Sequence, residues 1–146
     1  MAYPDKLLRI IDANLNRTRE GLRVCEDIAR FSLRNKNATK TLKAIRHGAT
    51  DLVLKSKKIS FRELLSKRDI AKDKTKFVDF TLGAGTEILD IFMSNIQRVK
   101  ESLRVMEECF KMIDEKISRG YRKLRFDIYD AEKRIIKKAG LISSNR

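Results

Sequence analysis

From Leu8 onward, apolar residues recur in alternating steps of three and four: Leu8, Ile11, Leu15, Leu22, Cys25 and Ala29, with Thr18 in the one polar gap. A period near 3.5 turns one side of a helix into a packing seam. Pro4 and Asp5 suit its start, because proline fits the first turn and a carboxylate complements the helix N-terminus. A first helix is expected over about 5–33. A short break at 35–39 precedes a second helix with Leu42, Ile45, Ala49 and Leu52 on one face, ending near "KSKK", where cations suit a helix C-terminus.

Ser60 opens "SFRE", a capping-box pattern with Glu63, so a short helix is expected there. Helical periodicity then lapses over 66–85. "KRDIAKDKTK" reads as a polar loop and "FVDFTLGAG" as extended or irregular. "GAG" lacks the strand–GxxxxGK[ST]–helix context of a phosphate loop. Thr86 can cap a third long helix, to about 116, with Phe92, Ile96, Val99, Leu103, Met106, Phe110 and Ile113 as its seam. Ser118 can cap a fourth, with Tyr121, Leu124, Ile128, Ala131 and Ile135 inward, and Gly140 suits its C-cap before a frayed tail.

The first and third helices repeat each other. A shift of 81 places Asn14 on Asn95, Arg17 on Arg98, Glu20 on Glu101, and Leu22, Arg23, Val24 and Glu26 on Leu103, Arg104, Val105 and Glu107. Asn16 falls on Gln97, Arg19 on Lys100, and Gly21 on Ser102. A shift of 79 aligns Leu42, Ile45, Arg46, Ala49 and Asp51 with Tyr121, Leu124, Arg125, Ile128 and Asp130. The expected fold is all-α, a single domain over 1–146. It is an antiparallel bundle of four main helices from a duplicated helical hairpin (about 5–58 and 86–139), with a short helix and an irregular insert (about 59–85) between the halves.

Turning about 100° per residue sorts the matched polar positions into two sets. Asn16, Arg19, Arg23 and Glu26 form a stripe beside the seam, whereas Arg17 and Glu20 lie nearly opposite it. The stripe can line a cleft between helices. The outer set can meet the second helix, the insert or another subunit. The plainer reading is ion pairing along the helix, Arg17 with Glu20 and Glu20 with Arg23, each three residues apart. Such pairs contribute only about 0.2–0.5 kcal/mol, a weak reason for identities to recur.

Charge narrows the partners. The 146 residues carry a net charge of +14, which attracts nucleotides, phosphorylated metabolites, nucleic acid or acidic lipid. A solubilising, lysine-rich surface accounts for the same number. Acids interleaved with bases in both repeats argue against a nucleic-acid footprint. Cys25 and Cys109 lack CxxC or Cys/His spacing, so neither a disulfide scaffold nor a zinc site is expected. No apolar run approaches a membrane span or the core of a signal peptide, and a cytoplasmic protein is the expectation.

The blocks "RIIDANLNRTREGLRVCEDIARF", "LKAIRH", "RD" followed by an Asp, "NIQRVKESLRVMEE" and "KLRFDIYDAEK" resemble one helical family over roughly residues 8–138. It is the hydroxymethylpyrimidine-phosphate kinase-type domain found alone or fused N-terminal to thiamine-phosphate synthase. Arg68, Asp69 and Asp73 match its insert motif. The family continues with Val-Gly after that last Asp, where Lys74 and Thr75 stand here.

The resemblance implies a phosphotransferase of thiamine biosynthesis that uses ATP and Mg2+ to convert hydroxymethylpyrimidine phosphate to the diphosphate. Such chemistry rests on positioning and charge neutralisation. Arg19, Arg23, Arg46, Arg68, Arg104 and Arg125 are the candidate phosphate ligands, because guanidinium forks bind phosphate through two hydrogen bonds. Glu26, Glu107, Asp69 and Asp73 are the carboxylates that can hold Mg2+ directly or through water, with Asp69 and Asp73 assigned to the metal. Arg23, Glu26, Arg104 and Glu107 form the candidate catalytic set. Asn14, Asn16 and Gln97 can read an aminopyrimidine edge, since an amide both donates and accepts. The lone His47 has Phe126 as its repeat counterpart and is read as packed or exposed, not as a base. Two alternatives stay open: a non-catalytic domain that docks on thiamine-phosphate synthase or channels its substrate, and a basic helical nucleic-acid binder. The sequence also leaves a homodimer open.

Overall fold

A computed structural model describes residues 3–73 and 87–140 of the chain. Its elements are α1 (Asp5–Asp27), running into a π-helical turn (Ile28–Ser32), α2 (Lys36–Lys55), α3 (Phe61–Lys67), the one-turn α4 (Ile70–Asp73), α5 (Ile88–Phe110) and α6 (Glu115–Lys138). The described residues include no strand. None of their helices is long and apolar enough to cross a membrane.

Four long helices close a ring. α1 packs on α5 and α2, α6 packs on α5 and α2, and α3 lies against α1. The seams face one another: Leu8, Ile11, Leu15, Leu22, Cys25 and Ala29 are buried, as are Phe92, Ile96, Val99, Leu103, Met106 and Phe110. Thr18 is fully buried too, and its hydroxyl lies 2.7 Å from that of Ser102 on α5. Tyr121 on α6 donates to the Ala49 carbonyl of α2 at 2.7 Å, so the largest buried ring also has its hydroxyl satisfied.

Gly21 lets α1 and α5 approach: a Cβ there would stand 2.8 Å from Val99 Cγ2 and 3.2 Å from the Asn95 carbonyl oxygen. The sequence shift pairs Thr18 with Val99 and Gly21 with Ser102. The contacts Thr18–Ser102 and Gly21–Val99 therefore exchange under that shift, the relation a local twofold between the two helices would impose.

Helix ends differ from the sequence reading in detail. Asn35 caps α2 by accepting from the Ala38 amide, so the helix starts earlier than the expected break at 35–39 allows. Ser60 caps α3 through the Glu63 amide, as its pattern suggested. Residues 70–73, read as loop, form the turn α4, helped by Asp69 accepting from the Lys72 amide. α5 ends at Phe110, not near 116, in a turn leading to α6. Its start is held by a reciprocal Glu87–Asp90 box. Ser118 is not a cap: it sits inside α6, buried, donating to the Glu107 carbonyl at 2.7 Å. A serine hydroxyl can bond an adjacent helix as readily as a helix start, and sequence spacing does not distinguish the two. Gly140 follows α6 with φ 82°, the left-handed stop expected of it. Thr86, the "FVDFTLGAG" segment and the tail 141–146 lie outside the described residues.

Candidate functional site

On α1, Asp12, Asn16, Arg19 and Arg23 follow one another at steps of four, three and four, so they share one flank of the helix. With Ala13, Glu20, Arg46 of α2, Arg68 at the end of α3 and Ile70 of α4, they line an open cleft of about 860 Å3. Two of its arginines are already fixed. Arg68 forks onto Asp12, with Nε and Nη2 each 2.7 Å from a carboxylate oxygen. This ties the segment after α3 back onto α1. Arg46 forks onto Glu26, which is only 1% exposed. The hydrogen bond from each guanidinium to its carboxylate, more than charge alone, raises the pKa of Arg46 and of Arg68. Arg19 and Arg23 are exposed and have no ion-pair partner among the described residues. The cleft thus has two anchored arginines and two exposed ones without counter-ions among the described residues.

The second hairpin repeats the anchor and not the cleft. Glu107, shift partner of Glu26, accepts from Arg125, shift partner of Arg46, at 3.0 Å, and from Arg122 at 3.0 Å. Burial works to raise the Glu107 carboxyl, but the two arginines outweigh it and hold its pKa below the ordinary carboxylate range. Lys100, counterpart of Arg19, bonds both oxygens of Glu132 at 3.1 and 3.2 Å and lies over the Tyr129 ring. Arg104, counterpart of Arg23, pairs with Glu108 at 3.0 Å. The position equivalent to Glu132 in the first hairpin is Val53, which supplies no carboxylate for Arg19. One hairpin therefore fills its polar flank with internal pairs where the other leaves it open.

The outer set is separated only in part: Arg17 faces a second depression, but Glu20, expected nearly opposite the seam, lines the cleft as well. Neither Arg17–Glu20 nor Glu20–Arg23 forms an ion pair among the described residues. Instead Asn14, Arg17, Glu20 and Gly21 meet Asn95, Arg98, Glu101 and Ser102 across a groove of about 620 Å3 between α1 and α5. Asn14 donates to the Ile10 carbonyl at 2.9 Å, and Asn95 donates to the Ile91 carbonyl at 2.8 Å, matching contacts at shifted positions.

Of the residues singled out from sequence, Asn16, Arg19, Arg23, Arg46 and Arg68 thus gather in the first-hairpin cleft, with Glu26 beneath Arg46. Asn14 lies in the α1–α5 groove. Arg104, Glu107 and Arg125 belong to the second hairpin's ion pairs, and Gln97 is exposed outside both depressions. Asp69 adjoins Ile70 in sequence and pairs with Lys72 at 3.9 Å. The side chain of Asp73 lies outside the described residues. His47 is exposed and lines neither depression. Burial pushes the Cys25 thiol up to about 12 and raises that of Cys109, so neither supplies a thiolate near neutral pH.

Three lining residues, Asp12, Ala13 and Ile70, escaped the sequence reading. Asp12 extends the stripe by one turn at a step of four from Asn16, but its shift partner is Met93, so a search by repetition passes over it. Ile70 sat in a stretch read as loop, and nothing in its neighbours signalled a contact with α1.

A family model described as the ThiD2 family matches residues 9–134. The chain is 33% identical to a thiamine-phosphate synthase of Synechocystis sp., over 90% of this chain and 36% of that protein. It is 36% identical to one of Prochlorococcus marinus, over 94% and 38%, and 30% identical to one of Rhodopirellula baltica, over 96% and 37%. The chain spans a little over a third of the length of these relatives. No solved structure matches it significantly.

Proposed function

The chain belongs to the ThiD2 family, and on that premise we propose that it serves thiamine biosynthesis as a phosphotransferase, moving the terminal phosphoryl group of ATP onto hydroxymethylpyrimidine phosphate. The observation that supports this most is the asymmetry between hairpins. The first-hairpin cleft keeps Arg19 and Arg23 without described counter-ions beside the anchored Arg46 and Arg68, while the equivalent flank of the second is closed by Lys100–Glu132. A cationic depression of this kind suits phosphate groups, which take guanidinium forks through two hydrogen bonds.

In the step, the bond between the γ-phosphorus and its bridging oxygen breaks, and ADP leaves with the bonding pair. An oxygen of the acceptor's phosphate forms the new bond. A phosphomonoester near pH 7 is largely dianionic, so its oxygen attacks without first losing a proton. No general base is required, which fits an exposed His47 and unionised thiols. Arg19 and Arg23 would bind and orient the phosphates, with Asn16 beside them, and the Arg46–Glu26 and Arg68–Asp12 forks hold the cleft's shape.

The residues fit Mg2+ carried on the phosphates, not a protein cage. The described residues contain no cluster of three or more His, Cys, Asp or Glu able to hold a metal. Glu20 lines the cleft as a carboxylate without a described partner and would touch such an ion; Asp69 and Asp73 on the adjoining segment are the further candidates. Bound there, Mg2+ would neutralise charge on the phosphoryl oxygens.

Incubating the purified chain with ATP, Mg2+ and hydroxymethylpyrimidine phosphate should yield the pyrimidine diphosphate and ADP by mass spectrometry. A folded protein that makes neither would rule this activity out. One observation favours a second reading, docking or substrate channelling: the matched relatives are synthases of which this chain covers only 36–38%. That reading expects association with thiamine-phosphate synthase and no ATP turnover.

A further inference from the structure

The α1–α5 groove gathers six polar side chains that the first-hairpin cleft does not use as its anchors: Asn14, Arg17 and Glu20 from α1, and Asn95, Arg98 and Glu101 from α5. Arg17 and Glu20 sit three apart on one helix, as do Arg98 and Glu101, yet neither couple closes into an ion pair among the described residues. Arg17 reaches only the Asn14 side-chain oxygen, at 3.5 Å. Each asparagine spends one amide N–H on a helix carbonyl, Ile10 for Asn14 and Ile91 for Asn95, which fixes its orientation. The Asn14 oxygen accepts from Arg17 with one lone pair remaining, and the Asn95 oxygen is an acceptor without a described donor. The groove is concave, and its volume of about 620 Å3 falls within the range of small-molecule sites.

We propose that this groove is the site for the acceptor, a phosphomonoester carrying an amine-bearing heteroaromatic ring, while the first-hairpin cleft takes the polyphosphate of the nucleotide. The assignment rests on the phosphotransferase reading and divides its two substrates by charge. In the cleft Arg46 and Arg68 are neutralised by Glu26 and Asp12, which leaves Arg19 and Arg23 against Glu20 and a net positive charge, so it favours the more highly charged ligand. In the groove two arginines face two carboxylates. A triphosphate there would meet Glu101 in addition to Glu20, which both depressions share, whereas a phosphomonoester of about −1.5 to −2 is matched by the two guanidiniums. The carboxylates and the asparagine oxygens are acceptors suited to the N–H groups of an aminated ring. Glu20 lines both depressions, so the two sites share a wall. Transfer between two bound substrates requires that adjacency, because the attacking and leaving oxygens must lie in line across one phosphorus.

Calorimetry on the full chain tests the division, with ATP, hydroxymethylpyrimidine phosphate and the phosphate-free hydroxymethylpyrimidine as separate titrants. Arg98→Ala lies on α5, outside the cleft. It should weaken the pyrimidine phosphate at least tenfold, leave ATP within twofold, and leave the phosphate-free ring unchanged. Glu101→Gln should weaken the ring and its phosphate together. Arg23→Ala should weaken ATP and spare the pyrimidine phosphate. Thermal melting of each variant within a few degrees of the parent confirms the fold, and Arg98→Lys should restore part of the lost affinity. The division is overturned if the parent binds no pyrimidine phosphate, if Arg98→Ala leaves its affinity within twofold, or if each variant weakens both ligands alike. Turnover that survives Arg98→Ala unchanged removes the groove and keeps the phosphotransferase. Separable binding of both ligands without turnover does the reverse.

Discussion

The hydroxyl oxygens of Thr18 and Ser102 lie 2.7 Å apart where α1 crosses α5, with both residues no more than 2% exposed. Each hydroxyl has a single proton and a carbonyl of its own helix within reach, Asn14 for Thr18 and Val99 for Ser102. One hydroxyl therefore donates to its carbonyl while the other donates across the pair, and the couple connects the two long helices where each would otherwise present a polar defect to the core. A buried hydroxyl couple of this kind is worth having only while both members are present. A double-mutant cycle of Thr18→Val and Ser102→Ala, read by chemical denaturation, should return a coupling of about 0.5–1.5 kcal/mol. Additive losses would mean that the contact is incidental.

Gly21→Ala should destabilise the bundle by about 1–3 kcal/mol, because the new methyl meets a stiff valine and a backbone carbonyl that cannot move aside. Gly120 offers the control. Its Cβ would stand closer still, 2.5 Å, but to the flexible end of Leu52. Gly120→Ala should lower the melting temperature less than Gly21→Ala does.

The duplicated anchors should differ in their tolerance. Glu26 has one arginine, whereas Glu107 has two. Arg46→Ala leaves a buried carboxylate uncompensated and should cost about 3–5 kcal/mol. Arg125→Ala leaves Arg122 in place and should cost clearly less. Equal losses in denaturant midpoints would refute this account of the anchors.

Glu107 also sets a pH dependence. Its folded pKa lies below the ordinary 4.5 because Arg122 and Arg125 outweigh the opposing effect of burial. The folded chain therefore binds fewer protons there than the unfolded chain does. The stabilisation is fully present above about 4.5 and is lost as pH falls through the folded value. Melting curves between pH 6 and pH 3 should steepen in their acid limb for the parent, and Glu107→Gln should flatten that limb while lowering stability at neutral pH.

Arg23 and Arg104 are shift partners with the same sequence surroundings, yet their loss should have opposite consequences. Arg23→Ala removes a cation without a described counter-ion from the cleft and should weaken ATP about 10–100-fold with the fold intact. Arg104→Ala removes half of a solvent-screened surface pair with Glu108 and should leave both the fold and ATP affinity unchanged. Equal effects on affinity would place both residues at one site.

The chain's own pattern settled the architecture. Heptad-like seams with few glycines and one proline have no low-energy state except buried helices, and repetition of the seam set the four long elements and their polar flanks. Residue spacing also separated Asn16, Arg19 and Arg23 from Arg17, since angle around a helix is local geometry, although Glu20 lines both depressions. Which flank stays open was a tertiary decision. Arg19 and Lys100 are shift partners, but α6 brings Glu132 against Lys100, whereas the shift partner of Glu132 on α2 is the uncharged Val53. Likewise, Asp12 became part of the cleft only when the chain after α3 returned to set Arg68 upon it. Charge pairing across helices depends on what packing delivers from distant sequence, and no periodicity within one helix encodes it.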